Sequence, residues 1–188
     1  MAIRTVAMIG AGTQSRAIAL LALRAGYRVV LEDFSISTLE EAEASIRAGL
    51  SKQAAVAAIS RKQQNHTPAR TNADSSRDAI SNLSVCTGIE DAIRNADLII
   101  ETAADEMETK IELFTIFDRF AKPNAIFATT SRIHPIAEMA AITSCPERCI
   151  AFRFDTTIPS DRLTVAAGPN SSPVTIRQCV DFTDSVYC

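Results

Sequence analysis

The first feature of this sequence that could do chemistry is a glycine turn near its beginning. Residues 10–15 read Gly-Ala-Gly-Thr-Gln-Ser, directly after an apolar run at residues 4–9. Glycine permits a tight turn from strand to helix and lets a ligand approach the backbone closely. The first amides of a helix are unpaired and lie at the positive end of the helix dipole, so they favour a phosphate group. The spacing therefore predicts a phosphate-binding loop formed by Gly10, Gly12, Thr13 and Gln14.

An acidic residue follows this loop at the distance that a dinucleotide site requires. Asp33 ends a second apolar run, residues 28–33, roughly 20 residues after the glycines. A carboxylate there accepts hydrogen bonds from the ribose hydroxyls of adenosine, and with Glu32 beside it the site would repel a 2′-phosphate. The two motifs together predict NAD rather than NADP. A glycine turn that binds nothing, and an Asp33 that only ends a strand in solvent, remain open alternatives.

Seven apolar runs alternate with segments of helical period along the chain. The expected strands are residues 4–9, 28–33, 83–86, 97–101, 125–130, 149–154 and 163–167. The expected helices are residues 15–25, 37–63 (as one helix or two), 89–95, 106–120, 135–142 and 173–186. This alternation predicts an α/β fold with a doubly wound, mostly parallel sheet of the Rossmann type. We expect one domain over residues 1–188, with a helical insertion at about 37–64 and a polar loop at about 65–76.

Composition restricts the classes of function. The net charge is −3 and no basic run occurs, so neither nucleic acid nor an anionic membrane surface is an expected partner. No apolar stretch reaches the length of a membrane span and none resembles a signal peptide, which favours a cytoplasmic location. The five cysteines and two histidines fit no common metal-site spacing, so we expect reduced thiols and no metal.

Together with the glycine loop, three further stretches resemble the N-terminal NAD-binding domain of L-3-hydroxyacyl-CoA dehydrogenases. Residues 6–19 are similar to that family's Gly-Ala-Gly-Thr-Met-Gly start, residues 96–101 to its fourth strand, and residues 146–148 to the approach to its sixth strand. Its acidic turn and helix are matched by Asp105, Glu106, Glu108, Lys110, Glu112, Leu113 and Phe114. The resemblance covers nearly the whole chain. It implies hydride transfer between NAD and a 3-hydroxyacyl-CoA, an oxidoreductase reaction of fatty acid metabolism on a small acyl-CoA substrate.

The resemblance also implies contacts with the nicotinamide half of the cofactor. Ala103 would line the loop after the fourth strand, Asp105 would lie near the nicotinamide ribose, and Lys110 near both cofactor and substrate. The residues themselves leave plainer interpretations open. Asp105 could cap the helix that follows it, and Lys110 could be an exposed helix lysine.

The chain departs from the family where the proton chemistry would occur. In that family a histidine accepts the hydroxyl proton and a glutamate orients it. The family's His-Phe-Phe-Asn-Pro-Val-Pro pattern matches residues 153–159, which places Arg153 at the histidine position and, without gaps, Val165 at the glutamate position. Arg132 stands at the position of a serine that holds the substrate oxygen. Arginine stays protonated in proteins and is unsuited to act as a general base.

Other residues offer alternatives at these positions. His134 and Asp155 are candidate bases, although a surface or capping role is the plainer interpretation of His134. Arg132 and Arg153 could form an anion site beside the nicotinamide, since guanidinium groups suit carboxylates and phosphates, or could pair with local acids such as Asp155 and Asp161.

Members of the family continue into a C-terminal helical domain, which we expect this chain to lack. The cleft would then be open on one side, where a second copy or a partner protein could bind. Three functions follow from these observations: a dehydrogenase with altered catalytic residues, a non-catalytic NAD-binding regulatory or partner protein, and a domain that keeps the fold but binds nothing.

Overall fold

The structure is a computed structural model that describes residues 2–62, 79–155 and 162–187. The predicted polar loop at residues 65–76 lies outside this part of the chain, as does Asp161. The candidate base Asp155 is described through its backbone alone.

The described residues form a seven-stranded sheet in the order β3-β2-β1-β4-β5-β6-β7. Every neighbouring pair is parallel except β6 and β7, which are antiparallel. The strands are β1 Thr5–Ile9, β2 Arg28–Glu32, β3 Leu83–Cys86, β4 Leu98–Glu101, β5 Ile126–Thr129, β6 Cys149–Asp155 and β7 Arg162–Ala167. The predicted mostly parallel, Rossmann-type sheet is therefore confirmed, and its strands lie within two residues of the expected positions.

Six helices whose full extent lies in the described ranges cover this sheet. They are α1 Thr13–Arg24, α2 Ile36–Lys62, α3 Ile89–Ile93, α4 Met107–Phe120, α5 Ile136–Ala140 and α6 Pro173–Ser185, and a 3₁₀ turn spans Pro146–Arg148. The segment expected as one helix or two is a single helix, α2. Helices α3 and α5 are shorter than predicted because tighter bonds end them, from Ala96 N to Ile93 O and from Thr143 N to Ala140 O. In the described ranges, no helix has the length and apolar content needed to cross a membrane.

The sheet is buried on both faces, as the continuous apolar runs of its strands predict. One face packs against α1, α2 and α6, through a cluster that includes Ile18, Ile46 and Phe182. The other face packs against α3, α4 and α5, through a cluster that includes Phe114 and Phe117. Successive strand residues point to opposite faces, so a side chain's position along its strand decides which helices it meets.

Asp97 ties the amino ends of two central strands together. Its Oδ2 atom accepts hydrogen bonds from the amides of Arg4 (2.8 Å) and Thr5 (2.9 Å) ahead of β1. Its Oδ1 atom accepts one from Lys122 Nζ. Burial raises the pKa of Asp97, but the bonds from Lys122, Thr5 and Arg4 outweigh it and hold the pKa below its ordinary value. This carboxylate lies at the sheet edge opposite the glycine turn and supports the fold.

Strand order reverses between β1 and β4, and this reversal positions the site. The chain leaves β1 toward one side of the sheet and β4 toward the other, so a crevice opens between the two loops at the carboxyl ends of the strands. The loops touch at the base of the crevice, where Thr102 Oγ1 donates to Ile9 O (2.9 Å) and lies 3.2 Å from Gly10 O. The glycine turn and the loop after β4 therefore share one small region.

Candidate functional site

Gly10 is required by the turn itself. Its φ is +97°, a left-handed conformation that favours glycine. A Cβ atom there would lie 3.0 Å from Thr102 Oγ1 and 3.3 Å from Ala103 N. The neighbouring loop therefore leaves no space for a side chain, and the tight turn predicted from the sequence is confirmed.

Gly12 is a glycine for a different reason. It precedes α1 with φ −68° and ψ −178°, an extended conformation open to any residue, and a Cβ atom there would meet nothing within 4 Å. The protein would thus accommodate a side chain at position 12, yet the exposed surface above it is left bare. This is the arrangement expected where a ligand approaches the backbone.

The first amides of α1 are available to such a ligand. Within the described residues, no side chain caps this helix, no acid lies in its first turn, and the amides of Gly12, Thr13 and Gln14 have no hydrogen-bond acceptor. The first helical bond runs from Arg16 N to Gly12 O (3.0 Å). Free amides at a positive helix end fit a diphosphate, and Gln14 lies beside them with its Oε1 accepting from Thr130 Oγ1 (3.0 Å).

Asp33 faces the glycine loop from the end of β2. Its Oδ2 accepts a hydrogen bond from Ala11 N (2.9 Å) and its Oδ1 accepts one from Ser35 N (3.0 Å). Each carboxylate oxygen can accept a further bond. Asp33 is partly exposed, so this capacity remains for ribose hydroxyls.

Glu32 contributes less to the site than its place in the sequence suggests. Its side chain is buried, and burial together with the charge of Asp33 raises its pKa to about 7. Near neutral pH the residue is therefore only partly ionised. A 2′-phosphate would therefore be repelled mainly by the negative charge of Asp33.

Ser15 occupies the third glycine position of the loop. It is wholly buried in α1, and its hydroxyl has no hydrogen-bond partner among the described residues. The small side chain fits between helix and sheet. Burying its hydroxyl without a hydrogen-bond partner lowers the free energy of unfolding by about 1–3 kcal/mol. The turn therefore accommodates serine without losing its geometry.

A buried ion pair lies on the other side of the crevice. Glu101 at the end of β4 and Lys110 in α4 are both almost wholly buried, and Lys110 Nζ lies 3.0 Å from each oxygen of Glu101. Glu101 also accepts hydrogen bonds from Ala103 N (2.7 Å) and from Thr129 Oγ1 (2.7 Å). Lys110 is therefore not the exposed helix lysine that its position in the sequence allowed.

Asp105 extends this cluster towards the crevice. Its Oδ1 accepts a hydrogen bond from Ser131 Oγ (2.6 Å) and lies 3.4 Å from Lys110 Nζ. Burial raises the pKa of Asp105, but Ser131 and Lys110 outweigh it and lower the pKa below its ordinary value. His134 adds a contact from its Nε2 to the main-chain oxygen of Asp105 (3.0 Å). The helix α4 begins at Met107, after Glu106, so Asp105 is not its cap.

The side chain of Arg153 contacts main-chain carbonyl groups next to this cluster. Its NH1 donates to Ser131 O (2.7 Å) and contacts Phe152 O at 3.3 Å. Arg132 lies exposed in the loop after β5. Among the described carboxylates, none forms an ion pair with Arg132 or Arg153.

The register of β6 and β7 separates Val165 from Arg153. Arg153 pairs with Thr164, whereas Val165 pairs with Phe152. Because cross-strand partners share a face and neighbours along a strand do not, Val165 lies on the face opposite Arg153, within the cluster that contains Phe152. The residue across from Arg153 is therefore Thr164, and neither it nor Val165 has a carboxylate.

Sequence reasoning did not single out Glu101 or Ser131, which hold this half of the site together. From the sequence alone, Glu101 is the last residue of an apolar strand. An acid that ends an apolar parallel strand, with a lysine nine residues later at the next helix, is a signal that could have identified it. Ser131 directly precedes Arg132, the residue that the family pattern aligns with a serine.

Three of the cysteines lie in the hydrophobic core rather than in the site. Cys145, Cys149 and Cys179 are buried free thiols, and burial raises the pKa of Cys179 to about 12. Across the described ranges, no cluster of three or more histidine, cysteine, aspartate or glutamate side chains could hold a metal ion.

Comparison with known proteins agrees with this geometry. Residues 5–187 match the family model described as 3-hydroxyacyl-CoA dehydrogenase, NAD binding domain. A probable 3-hydroxybutyryl-CoA dehydrogenase of Bacillus subtilis (strain 168) is 33% identical over 163 residues, which cover 87% of this chain and 52% of that protein. The mitochondrial hydroxyacyl-coenzyme A dehydrogenase of Sus scrofa is 26% identical over 185 residues, covering 98% of this chain and 57% of that protein.

A solved structure shows the same likeness. The crystal structure of 3-hydroxybutyryl-CoA dehydrogenase from Escherichia coli K12 superimposes with a TM-score of 0.84 at 27% identity, covering 100% of this chain and 37% of that one. This chain spans about half the length of the sequence relatives it matches. The predicted resemblance is confirmed, and NAD is the cofactor of the matched domain.

Proposed function

The chain belongs to the 3-hydroxyacyl-CoA dehydrogenase family, and on that premise we propose that it binds NAD(H) at the carboxyl edge of its sheet with little or no oxidation of 3-hydroxyacyl-CoA. The start of α1 carries this proposal. Free amides there face a surface that Gly12 leaves bare although the protein has room for a side chain. A diphosphate supplies the acceptors that these amides lack.

The remaining contacts extend from this point along the crevice. Gly10, Gly12, Thr13 and Gln14 surround the diphosphate, and the free oxygen lone pairs of Asp33 accept the hydroxyls of the adenosine ribose. A 2′-phosphate would bring its charge next to the Asp33 carboxylate. We therefore expect NADH to bind more tightly than NADPH.

The nicotinamide half of the cofactor would lie on the other side of the reversal in strand order. Ala103 in the loop after β4 and the partly exposed carboxylate of Asp105 face this region, and Lys110 supports Asp105 from within. When bound, NAD supplies the hydride chemistry of the reaction. The residues of this chain would hold the nicotinamide ring. In an active dehydrogenase the protein must also accept the proton of the substrate's hydroxyl group.

That proton has no evident acceptor at the family's catalytic positions. Arg153 occupies the histidine position, and a guanidinium keeps its proton near neutral pH. Thr164 and Val165 replace the orienting carboxylate on either face of β7. His134 already has Nε2 engaged with the main chain of Asp105. Hydride transfer without a positioned base would lose about 10²–10⁴ in rate.

A non-catalytic NAD-binding regulatory or partner protein is the second candidate. The observation in its favour is that Arg153 forms hydrogen bonds to the carbonyls of Ser131 and Phe152, so the position is stably occupied by a cation. In this alternative an acyl-CoA need not bind, and the crevice would meet a second copy or another protein. The relatives named as 3-hydroxybutyryl-CoA dehydrogenase and hydroxyacyl-coenzyme A dehydrogenase favour the first candidate.

Calorimetric titration of the full chain with NADH and NADPH tests the binding proposal. We expect saturable NADH binding with one site and at least tenfold weaker NADPH binding. An absence of NADH binding would overturn the proposal and leave a fold that binds no cofactor.

Absorbance at the NADH band with acetoacetyl-CoA then separates the two candidates. Slow but measurable, acetoacetyl-CoA-dependent loss of NADH supports a weakened dehydrogenase, and none supports the non-catalytic alternative. Turnover at rates normal for a dehydrogenase, roughly 1–10³ s⁻¹, would contradict the inference drawn from Arg153.

A further inference from the structure

The Glu101 carboxylate is the point where three parts of the site meet. It accepts the amide of Ala103 in the β4–α4 loop, the hydroxyl of Thr129 at the end of β5, and the ammonium of Lys110 in α4. All of these contacts are 2.7–3.0 Å long, and the side chain is wholly buried. One carboxylate thus fixes the positions of a loop, a strand end and a helix relative to each other.

Lys110 has no donor left for direct contact with a ligand. An ammonium group has three N–H donors. Two face the oxygens of Glu101 at 3.0 Å, and the third faces Asp105 Oδ1 at 3.4 Å. Its side chain is only 2% exposed. Lys110 therefore acts on the crevice through Asp105.

Asp105 is the member of the cluster that reaches the crevice. Its side chain is 42% exposed, and its Oδ1 is held on one side by Ser131 and on the other by Lys110. The Oδ2 atom has no partner among the described residues. Glu101 holds Lys110, and Lys110 in turn fixes the direction in which Asp105 presents this free oxygen.

We propose that Glu101 is a positioning residue for the nicotinamide half of the cofactor, setting the β4–α4 loop through Ala103 and the Asp105 carboxylate through Lys110. This role presupposes the NAD site proposed above. Without the Glu101 charge, the buried ammonium of Lys110 turns to Asp105 as its remaining anionic partner. Asp105 is then drawn inward, and the Ala103 amide keeps at most a neutral acceptor.

The test compares NADH with ADP, which shares the adenosine and both phosphates but lacks the nicotinamide and its ribose. Calorimetric titration of Glu101→Gln should give NADH binding about tenfold weaker, equivalent to the loss of one charge-assisted hydrogen bond. ADP binding should stay within twofold of the wild-type value. Glu112→Gln makes the same substitution at an exposed position of α4 and should change neither.

The double variant Glu101→Gln/Lys110→Met separates positioning from stability. Glu101→Gln alone leaves the buried ammonium of Lys110 without its closer anionic partner and lowers the midpoint of thermal unfolding, whereas the double variant removes both charges and should recover most of that midpoint. Positioning predicts that NADH binding by the double variant stays weak although stability returns. If NADH affinity returns together with stability, Glu101 has a structural role only and the proposal is overturned.

Thr129→Val offers a milder perturbation that leaves no buried charge unpaired. It removes the hydrogen bond to Glu101, together with the one that Thr129 Oγ1 accepts from Ser131 N (3.1 Å), and should weaken NADH binding about threefold without affecting ADP. Equal losses for NADH and ADP would overturn the proposed role of Glu101. If the wild-type chain binds neither ligand, the NAD site itself fails, whereas wild-type binding with unaffected variants refutes only the positioning role.

Discussion

Replacing Gly12 by alanine isolates the contribution of the bare helix start to ligand binding. The φ and ψ values at this position suit alanine, and the new methyl group would meet no protein atom within 4 Å. Alanine restricts the unfolded chain, which favours folding by about 0.4–1 kcal/mol. The poorer preference for alanine at a helix N-cap acts in the opposite direction by a similar amount. We expect a net change in the free energy of unfolding within about 1 kcal/mol.

The same methyl group lies where a diphosphate must approach the amides of α1. An added methyl in a close-packed contact costs about 1–3 kcal/mol. At 25 °C this corresponds to NADH binding weakened about fivefold to more than hundredfold. The substitution should therefore leave the protein folded and impair the ligand site selectively.

Calorimetry with NADH and thermal unfolding on the same samples measure both effects. Gly88→Ala is the matched control, because Gly88 also precedes a helix, has a φ of −112°, and would place its Cβ at an ordinary 3.6 Å from Asp91 Oδ2. It should leave NADH affinity unchanged. Wild-type NADH affinity in the Gly12→Ala variant would refute the placement of the diphosphate at this helix start.

Three further predictions concern charge and strand register. Asp97→Asn should lower the free energy of unfolding by about 1–2 kcal/mol near pH 7. Because folding lowers the pKa of Asp97, the difference in stability between wild type and variant should persist above about pH 4. It should shrink as the pH falls through the pKa of Asp97 in the folded protein. Glu32→Gln should stabilise the chain at pH 8 by up to about 3 kcal/mol, because a pKa raised to about 7 makes ionised Glu32 unfavourable, and this gain should vanish below about pH 4.5. In Arg153→His, adding Thr164→Glu should raise the pKa of the introduced imidazole by about 1, whereas Val165→Glu should not, because only position 164 shares its face.

Each of these three has a direct measurement. Chemical denaturation across pH gives the two stability profiles, and a difference between wild type and Asp97→Asn that does not change with pH would contradict the assigned role of that carboxylate. Destabilisation by Glu32→Gln at pH 8 would mean that its ionised form is favoured in the fold. Titration by nuclear magnetic resonance reports the imidazole pKa, and an equal rise with either glutamate would contradict the strand register.

The sequence by itself determined the sheet, its mostly parallel character and the dinucleotide loop. These features depend on local signals: buried parallel strands are continuous apolar runs, and a turn with φ near +97° favours glycine at position 10. Asp33 could be identified because it directly ends its strand, at a fixed distance from the glycines. Arg153 was also singled out from the sequence, through its place in a family pattern, and its role at the histidine position stays a prediction.

Tertiary structure alone decided the partners of the buried charged residues. Glu101 meets Lys110 and Thr129, which lie 9 and 28 positions further along the chain, and only the packing of α4 and β5 against β4 brings them within 3 Å. Burial of Glu32, which raises its pKa, likewise depends on neighbouring elements rather than on its place in the sequence.

Strand register is the clearest example of what the sequence left undecided. Counting without gaps places Val165 at the family's glutamate position, and that assignment stays a prediction; the structure adds that the pairing of β6 with β7 puts Thr164 across from Arg153. A shift of one residue moves a side chain to the other face of a sheet, because side chains alternate along a strand. The hydrogen bonds between the strands fix that choice, and they exist only once the two strands have come together.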